Sequence, residues 1–516
     1  MKNRNILLLL IIALFLATRL YQLTSNPPAL YWDEASIGVN AYSVIQTGKD
    51  EWGKFLPVNF RAFGEFKLPV FVYTVAFFEK FLGLNEWAVR LPAVLFSLGT
   101  VILTYLLGEK FSKNKSTGVL SALTLTTLPW FFILSRVGYE ATAGLMFYLL
   151  GIWLFLQISK SKLFLLLSVI SLVVSSYCYN SFRVMVPITL VVLVIYFFKS
   201  MQIKWRSLSF IAAASLIIYV LSLVPIVRQF TTPNQTSRFN TVSIFASGDV
   251  PQRIVMDFTK NYLSHYSPDF LLLSGDKNLR SQQSGFGQIF WLELPFILLG
   301  IFYVFKNRNP LGYLFLLLLL FSPIPAAITK ESPHALRSIS IVPFMAILTA
   351  QGVRFAADYF HSKRIIYLLF SIGIGIFFSL YWYRFSTVYP WQSSQYWQYG
   401  YKELFLNYGN KFNQFDHVII SDYLAQPYIF ALFYLKTDPM SFISQHTYNS
   451  VDKWGFSTVS SFGNLMFVPI SKQQFPLGKL LVFTSSEERL TDMVEKGLLR
   501  NIDGSIAFYI FEYENK

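Results

Sequence analysis

The sequence predicts a polytopic α-helical membrane protein with a small extramembrane domain at its C-terminal end. Of its 516 residues, 54% are hydrophobic and only 14% are charged, and the mean hydropathy is +0.45. A soluble protein carries about 25% charged residues, and it could not cover so much apolar surface. The same composition excludes a disordered chain. The single cysteine excludes a disulfide framework and a cysteine-rich metal site.

Apolar runs recur along the first 384 residues. About eleven of them have the length that a helix needs to cross a hydrocarbon core of ~30 Å. They lack the period-two alternation of barrel strands, so helices are the structure that satisfies their backbone in lipid. The first run follows Lys2 and Arg4, and it is predicted to be a retained anchor. The predicted spans are 5–20, 91–107, 118–134, 141–158, 163–180, 184–198, 208–226, 289–305, 310–328, 338–356 and 365–383.

The positive charge predicts the orientation of these spans. The formal net charge is +15, and the basic excess lies in the apolar part of the chain. A cytoplasmic N-terminus places fifteen lysines and arginines, against only Glu109 and Asp358, in the predicted cytoplasmic segments. This is the positive-inside pattern rather than a nucleic-acid surface. Residues 68–84 are short, contain Glu79 and Lys80, and are predicted to form an interfacial helix on the outer face. Counting them as a full span would reverse every later loop. The basic residues of the predicted cytoplasmic segments are Lys2, Arg4, Lys110, Lys113, Lys115, Lys160, Lys162, Lys199, Lys204, Arg206, Lys306, Arg308, Arg354, Lys363 and Arg364.

The predicted domain organisation follows from the same pattern. Residues 1–384 form the transmembrane domain, with long outer loops at 18–90 and 227–288. Residues 385–516 begin with the aromatic-rich stretch YPWQSSQYWQYGY, which suits a membrane interface. The strand-like runs DHVIIS, LMFVPI, KLLVFTS and IAFYIFEY follow. We therefore expect a small extracytoplasmic α/β domain at 385–516.

Three carboxylates stand out on the predicted outer side. Asp33 and Glu34 lie in ALYWDEASIG. They are either an acidic pair that complements a helix N-terminus or a functional pair, because charges near a bilayer are costly. Glu140 follows Arg136 in LSRVGYEATAG, at a spacing that suits a local ion pair. It also adds a third carboxylate on the outer side.

Several cations also fall in short outer segments, where positive charge is statistically disfavoured. Snorkelling or lipid headgroup contacts explain any one of them. As a set with Asp33 and the other carboxylates, they predict an outward-facing cavity that binds a phosphate. The cations are Lys67 in GEFKLP, Arg136, Arg183 in YCYNSFR, and His334 and Arg337 in ESPHALRS.

At these motifs the chain resembles membrane glycosyltransferases of the GT-C fold, in the bacterial branch near the protein O-mannosyltransferases and aminoarabinose transferases. The resemblance covers about residues 1–384. This chain has Lys67-Leu68-Pro69 where relatives often have Lys-Pro-Pro, and Glu140 where an aspartate is common. The motifs that carry the resemblance are the Asp33–Glu34 pair, GEFKLP, NEWAVRLPAVLFSLGTV, SRVGYE, YCYNSFR, HYSPDFLLLSGDKNLR and SPHALRSISIVP.

The resemblance implies an inverting glycosyltransferase of the cytoplasmic membrane. It would move a sugar from a polyprenyl-phosphate carrier to an acceptor hydroxyl on the extracytoplasmic face, in a protein, a glycolipid or an envelope polymer. Asp33 would be the general base, supported by Glu34 and Glu140. Donor phosphate would be bound by Lys67, Arg136, Arg183, His334 and Arg337.

The resemblance leaves the metal and the protein class open. Cations can neutralise the leaving phosphate, so no metal is required, although Asp33, Glu34 and Glu140 could hold Mg²⁺ or Mn²⁺. A transporter or flippase of lipid-linked sugars is the competing interpretation. Transporters, however, usually place their charged groups near the membrane midplane, often in two related halves. A third interpretation is a non-catalytic scaffold that uses the C-terminal domain as its binding module.

Overall fold

The computed structural model describes residues 2–63, 65–201, 203, 208–231, 241–247, 250–449, 458–470, 475–485, 488, 490 and 495–515. Lys204, Arg206 and parts of the predicted loop 227–288 lie outside these residues. By its internal contacts the chain divides into two compact units. Unit 1 comprises Met1–Tyr21, Ala93–Pro233 and Val242–Arg384, and unit 2 comprises Gln22–Pro92, Asn234–Thr241 and Phe385–Lys516. The predicted boundary at residue 384 is one boundary of this division, whereas residues 22–92 group with the C-terminal segment.

Unit 1 consists of helices. The division from unit 2 falls within two long ones, Glu86–Ser112 and Lys363–Thr387. Short 3₁₀ turns lie at Ile244–Ser247 and Ile339–Ile341, and a π-helical turn lies at Asp269–Leu273. The remaining helices are Lys2–Leu20, Lys115–Thr127, Pro129–Phe132, Ala141–Phe155, Leu163–Ser176, Asn180–Ser200, Ser209–Thr231, Pro251–Ser264, Glu293–Lys306, Pro310–Phe321, Ile324–Ala327 and Val342–Tyr359.

Among the described residues, six helices are long and apolar enough to cross a membrane. They are Glu86–Ser112, Asn180–Ser200, Ser209–Gln229, Pro310–Ala327, Ile339–Tyr359 and Lys363–Thr387. Asn5–Leu20, Ala141–Phe155 and Leu163–Ser176 are shorter apolar helices. The chain is thus a multi-pass membrane protein, and the predicted number of eleven spans stays a prediction.

The predicted span 118–134 shows why apolar runs and helices differ. The run is divided at Leu128, which has an extended backbone, into the helices Lys115–Thr127 and Pro129–Phe132. Proline disfavours a helical conformation in the residue before it and lacks the N–H that a continuous helix would use. Pro129 therefore ends one helix and starts the next, inside a run that hydropathy alone cannot divide.

The predicted interfacial segment 68–84 forms the helix Pro69–Leu82. With 14 residues it is ~21 Å long, which is shorter than a hydrocarbon core. It buries Glu79 and exposes Phe77 and Phe81. Its length agrees with a helix that does not span, and its placement at the interface stays a prediction.

Unit 2 contains residues 22–92 and the C-terminal region. Strands β1 (Phe60–Ala62) and β2 (Glu65–Lys67) pair antiparallel, with Phe60 opposite Lys67. A 3₁₀ turn lies at Gly409–Gln414. The helices are Trp32–Thr47, Pro69–Leu82, Tyr389–Ser393, Tyr399–Tyr408, Pro427–Tyr434 and Pro439–Gln445.

The C-terminal region also forms a seven-stranded mixed sheet in the order β4-β5-β6-β3-β7-β9-β8. Strand β3 is parallel to β6 and β7, and the other pairs are antiparallel. The four strand-like runs of the sequence coincide with β3, β6, β7 and β9. Central strands β3 and β7 are buried on both faces, as expected for strands covered on both sides. The strands are β3 (His417–Ser421), β4 (Thr447–Tyr448), β5 (Val459–Phe462), β6 (Leu465–Val468), β7 (Gly478–Thr484), β8 (Glu495–Arg500) and β9 (Ile506–Asn515).

Candidate functional site

The predicted acidic pair occupies the first turn of the helix Trp32–Thr47. Tyr31 is the N-cap residue, with an extended backbone, and its N–H donates to Glu34 Oε2 at 3.2 Å. Negative charge in this turn also stabilises the helix dipole. The acidic pair therefore complements a helix N-terminus, as its position predicts. What else each carboxylate can do depends on its surroundings.

Glu34 forms a fully buried ion pair with Arg90. Arg90 Nε lies 3.0 Å from Glu34 Oε1, and Nη2 lies 3.1 Å from Oε2; both side chains are 0% exposed. The guanidinium also donates to the carbonyls of Leu23, Pro27 and Ala29. A buried charge needs such compensation to be stable. Of the roles predicted for Glu34, this geometry favours the structural cap that orients the turn.

Asp33 lies beside Lys67. Lys67 Nζ is 2.6 Å from Asp33 Oδ1, and the two side chains are 11% and 23% exposed. Lys67 ends strand β2, and Leu68 and Pro69 start the next helix. The backbone at Lys67 is thus fixed on both sides, so the ammonium has a defined position. Two residues that the sequence predicted for one site are brought together, and Asp33 keeps part of its surface open.

In unit 1, two motifs from the sequence are joined by hydrogen bonds. The N–H of Ala335, in SPHALRS, donates to Asp276 Oδ2 at 2.7 Å, and the N–H of His334 donates to His265 Nε2 at 3.2 Å. His265 Nδ1 lies 2.9 Å from the carbonyl of Asn261. This arrangement requires the proton on Nδ1 and a lone pair on Nε2. Burial lowers the pKa of His265 to about 4 and raises the pKa of Asp276. A neutral His265 therefore supports the turn at residues 329–338, which contains His334 and Ala335.

The same turn carries two of the predicted phosphate ligands, His334 and Arg337. His334 Nδ1 lies 3.9 Å from Asp276 Oδ2. Arg337 Nη1 donates to Thr329 Oγ1 at 2.8 Å, and Nη2 lies 3.6 Å from Glu331 Oε2, in a side chain that is 79% exposed. Ion pairs with such exposed partners are weak. The Arg337 guanidinium could therefore exchange Glu331 for an anionic ligand at small cost.

Three further predicted site residues also lie in unit 1, and each has its own set of neighbouring groups. Arg136 is fully buried, and its guanidinium donates to the carbonyls of Thr18 and Tyr21, at the C-terminal end of the helix Lys2–Leu20. Helix C-termini carry unpaired carbonyls and partial negative charge, so this contact is structural. Arg183 Nη1 donates to Gln229 Oε1 at 2.9 Å. Glu140 is 7% exposed and lies at the N-cap of the helix Ala141–Phe155.

The carboxylates do not form a metal centre in the part of the chain that is described. No group of three or more His, Cys, Asp or Glu side chains there is placed to hold a metal ion. Glu34 is a poor candidate ligand, because both of its oxygens are engaged by Arg90 and one also by the N–H of Tyr31.

Sequence reasoning did not single out four polar residues that bind these side chains or the backbone near them. They are Arg90, which binds Glu34, His265, which accepts the N–H of His334, and, in the C-terminal region, Gln398 and Lys402, which bind the backbone at Trp32 and at Thr24 and Pro28. Arg90 offered a partial signal, because an arginine at the start of an apolar run either reaches the membrane interface or binds a partner. The other three have no such signal, because their contacts come from distant parts of the chain.

Comparisons with known proteins agree with the resemblance. Residues 67–227 match the Dolichyl-phosphate-mannose-protein mannosyltransferase family. No curated protein matches the chain. One similar structure is that of ArnT from Cupriavidus metallidurans bound to undecaprenyl phosphate. Its sequence is 11% identical to this chain and the TM-score is 0.54, with 98% of this chain and 97% of that chain covered. Its apo state has 11% identity, a TM-score of 0.55 and 93% coverage of both chains.

A second group of similar structures comes from an archaeon. The oligosaccharyltransferase AglB from Archaeoglobus fulgidus, in complex with an inhibitory peptide and a dolichol-phosphate, is 13% identical with a TM-score of 0.51. The similarity covers 84% of this chain and 63% of that one. The predicted resemblance is confirmed at the level of the fold. The chain shares its fold, the GT-C fold, with the ArnT and AglB structures, and residues 67–227 match the Dolichyl-phosphate-mannose-protein mannosyltransferase family.

Proposed function

We propose that this protein is an inverting glycosyltransferase that moves a sugar from a polyprenyl-phosphate carrier to an acceptor hydroxyl. The shared fold and the family match support the class of reaction. The observation that carries the proposal is the contact of Asp33 with Lys67 at 2.6 Å, in a partly exposed helix turn. The N-terminus would lie in the cytoplasm, and the reaction would take place on the extracytoplasmic face of the cytoplasmic membrane. The acceptor hydroxyl would belong to a protein, a glycolipid or an envelope polymer.

In the proposed step, Asp33 acts as general base. The acceptor oxygen attacks the anomeric carbon while its proton passes to the Asp33 carboxylate. The bond between the anomeric carbon and the phosphate oxygen breaks, and its electron pair leaves with the polyprenyl phosphate. A single displacement of this kind inverts the configuration at the anomeric carbon.

Lys67 has a proposed role on both sides of this step. Before the reaction its ammonium faces the Asp33 carboxylate. As the proton moves, Asp33 becomes neutral and the leaving phosphate gains one negative charge, so the total charge is unchanged. A cation that binds the phosphate more strongly as this charge develops lowers the barrier. Lys67 is thus proposed to transfer its contact from the carboxylate to the phosphate.

The remaining predicted site residues also have proposed roles, and the structural support for these roles differs from residue to residue. Arg337 and His334 are proposed donor-phosphate ligands because their turn is held by backbone hydrogen bonds rather than by their charges. Arg183 is a further candidate, and Arg136 is a weaker one because backbone carbonyls occupy its guanidinium. Glu34 and Glu140 are proposed to support the site. No step requires Mg²⁺ or Mn²⁺.

Asp33→Asn tests the base assignment. We expect it to lower transfer from a polyprenyl-phosphate sugar by about 10²–10⁴-fold in membranes, because the amide cannot take the proton. Asp358→Asn is the matched control, since Asp358 is another aspartate in a lysine pair, with Lys363 Nζ at 2.9 Å. Both variants should insert at the wild-type level. Near-normal transfer by Asp33→Asn would refute the assignment.

Lys67→Ala tests the phosphate role separately. We expect a higher donor concentration for half-maximal rate or a lower turnover, because the leaving phosphate loses a cation. An unchanged rate at every donor concentration would remove Lys67 from the proposal.

The competing function is a transporter or flippase for lipid-linked sugar. Sealed vesicles with labelled donor on one side separate the two functions. Label in the acceptor product, without movement of intact donor, supports the transferase. Movement of intact donor without product supports the transporter.

A further inference from the structure

Residues 23–29, which lead to the helix of Asp33, turn five backbone carbonyls toward two cationic side chains. Arg90 binds the carbonyls of Leu23, Pro27 and Ala29. The carbonyls of Thr24 and Pro28 each lie 3.2 Å from Lys402 Nζ. Lys402 belongs to the helix Tyr399–Tyr408 of the C-terminal region. This distant part of the chain therefore binds the backbone that precedes Asp33.

Lys402 is itself held in place by a carboxylate. Its Nζ lies 3.0 Å from Glu86 Oε1 and 3.1 Å from Oε2, with side chains that are 17% and 10% exposed. The hydroxyl of Tyr434 donates to the same carboxylate at 3.0 Å. A largely buried ammonium is stable only where charge and hydrogen bonds are both satisfied. The position of Lys402 relative to residues 23–29 is thus determined by several independent contacts.

Gln398 connects the C-terminal region to the helix that carries Asp33, Trp32–Thr47. Its Oε1 accepts the N–H of Trp32 at 3.3 Å, next to Asp33. Its Nε2 donates to the carbonyls of Leu424 at 2.6 Å and Ala425 at 3.1 Å. Gln398 has a φ of +51°, in the left-handed region that disfavours residues other than glycine. The surrounding contacts compensate this strain, and they aim the amide at the first turn of the helix.

We propose that Lys402 and Gln398 are positioning residues for Asp33. They would hold the segment 23–29 and the first helical turn so that the Asp33 carboxylate meets the acceptor hydroxyl in a productive geometry. The proposal rests on the proposed function, because it assigns to the C-terminal region a part in the same reaction. It also separates two roles: Lys402 and Gln398 act on the chemical step through Asp33, and they do not bind the donor.

Lys402→Met tests this in the full-length protein in nanodiscs, with kcat and KM measured for donor and acceptor. We expect kcat to fall on the order of tenfold or more, because misplacement of a reacting group by about 1 Å is costly. Donor KM should stay within about twofold of wild type, since donor contacts are unchanged. Lys402→Arg should restore most of the rate. Lys411→Met, an exposed lysine of the same region, is the matched control and should behave as wild type.

A second variant keeps the test valid if Lys402→Met folds poorly. Lys402→Met with Glu86→Gln removes the unpaired carboxylate, and it should insert at the wild-type level while keeping the low kcat. Hydrogen exchange of residues 30–36 should increase in both variants and not in Lys411→Met.

The outcomes separate the two proposals. A kcat within about twofold of wild type in both Lys402→Met variants overturns the positioning role, as does a change confined to donor KM. If Asp33→Asn keeps near-normal transfer, the proposed function fails whatever Lys402→Met does. If Asp33→Asn is inactive and the Lys402 variants are normal, only the positioning proposal fails.

Discussion

The first turn of the helix Trp32–Thr47 and the turn at residues 329–338 both hold charged candidate residues, but in different ways. In the helix, each carboxylate faces a cation at short range, Glu34 with Arg90 at 3.0 Å and Asp33 with Lys67 at 2.6 Å. In the turn, the backbone N–H groups of His334 and Ala335 donate to the buried neutral His265 and to Asp276, which lie outside it. The Arg337 guanidinium there lies 3.6 Å from a highly exposed glutamate.

This difference shows two ways in which a protein can hold charged side chains in place. The buried pair of Glu34 and Arg90 fixes the helix turn, and the short pair of Lys67 with the partly exposed Asp33 fixes the direction of that carboxylate, which suits a proton acceptor. A cation whose weak partner is exposed can exchange it for an incoming anion, because little energy is lost. The helix turn thus fits the proposed proton transfer, and the other turn fits the proposed binding of the donor phosphate.

The largest expected effect comes from breaking the buried pair in the helix turn. Arg90→Met should destabilise the protein by about 3–5 kcal/mol, because it leaves Glu34 buried without a counterion. Arg90→Met with Glu34→Gln should recover part of this loss. The thermal unfolding midpoint of the purified protein measures both. If the single and double variants were equally stable, the pair would not be what fixes this turn.

An intermediate effect is expected at the turn of residues 329–338, which is proposed to bind the donor phosphate. Arg337→Ala should raise the barrier of the transfer step on the order of 2–4 kcal/mol, by analogy with the loss of an oxyanion-hole donor. Arg337→Lys keeps the charge but loses the two-donor geometry of the guanidinium. Its barrier should therefore lie between those of Arg337→Ala and the wild-type protein. Arg354→Ala is the matched control, because Arg354 has one carbonyl partner and a weak ion pair at 3.5 Å. Unchanged turnover in Arg337→Ala would mean that the turn does not bind the donor phosphate.

The smallest effect concerns the scaffold of that turn. The pKa of His265 falls to about 4 in the fold and is about 6.5 when unfolded, so the unfolded turn binds more protons between these values. The stability from neutral His265 is therefore complete above pH 6.5 and is lost as pH falls toward 4. We expect amide protection of residues 329–338 to decrease over this window, after correction for intrinsic exchange rates.

His265→Gln isolates this effect. Its side-chain oxygen can still accept the N–H of His334, but it does not titrate. Asp276 has a raised pKa and works in the opposite direction, yet it is present in both proteins. The difference between them therefore reports His265. Equal pH dependence in the two proteins would show that His265 does not control the turn.

Much of the fold could be predicted from composition and hydropathy. Apolar length and low charge identify membrane helices because lipid excludes unpaired backbone. Hydropathy could not locate the break at Leu128–Pro129 or the shorter helices, because these depend on local backbone geometry. The four strand runs were visible because central strands are continuously apolar. The short edge strand β4 has no such pattern.

The candidate site was predictable in part. Asp33 and Lys67 could be singled out, because ionisable residues near a bilayer stand out in an apolar sequence. Their contact could not, because it spans 34 residues and depends on the pairing of β1 with β2. Glu34 and Arg90 are 56 residues apart, and Lys402 and Glu86 are 316 apart. Such partners meet only once the chain has folded.

The adjacency of Asp33 and Glu34 has a consequence for how this protein can change. Neighbouring residues on an α-helix point about 100° apart, so one carboxylate faces the interior while the other keeps an open side. The buried pair with Arg90 fixes the direction of Glu34, so the rigid backbone of the helix fixes the direction of Asp33 as well. Any change that turns this first helical turn about its axis would therefore displace both carboxylates together.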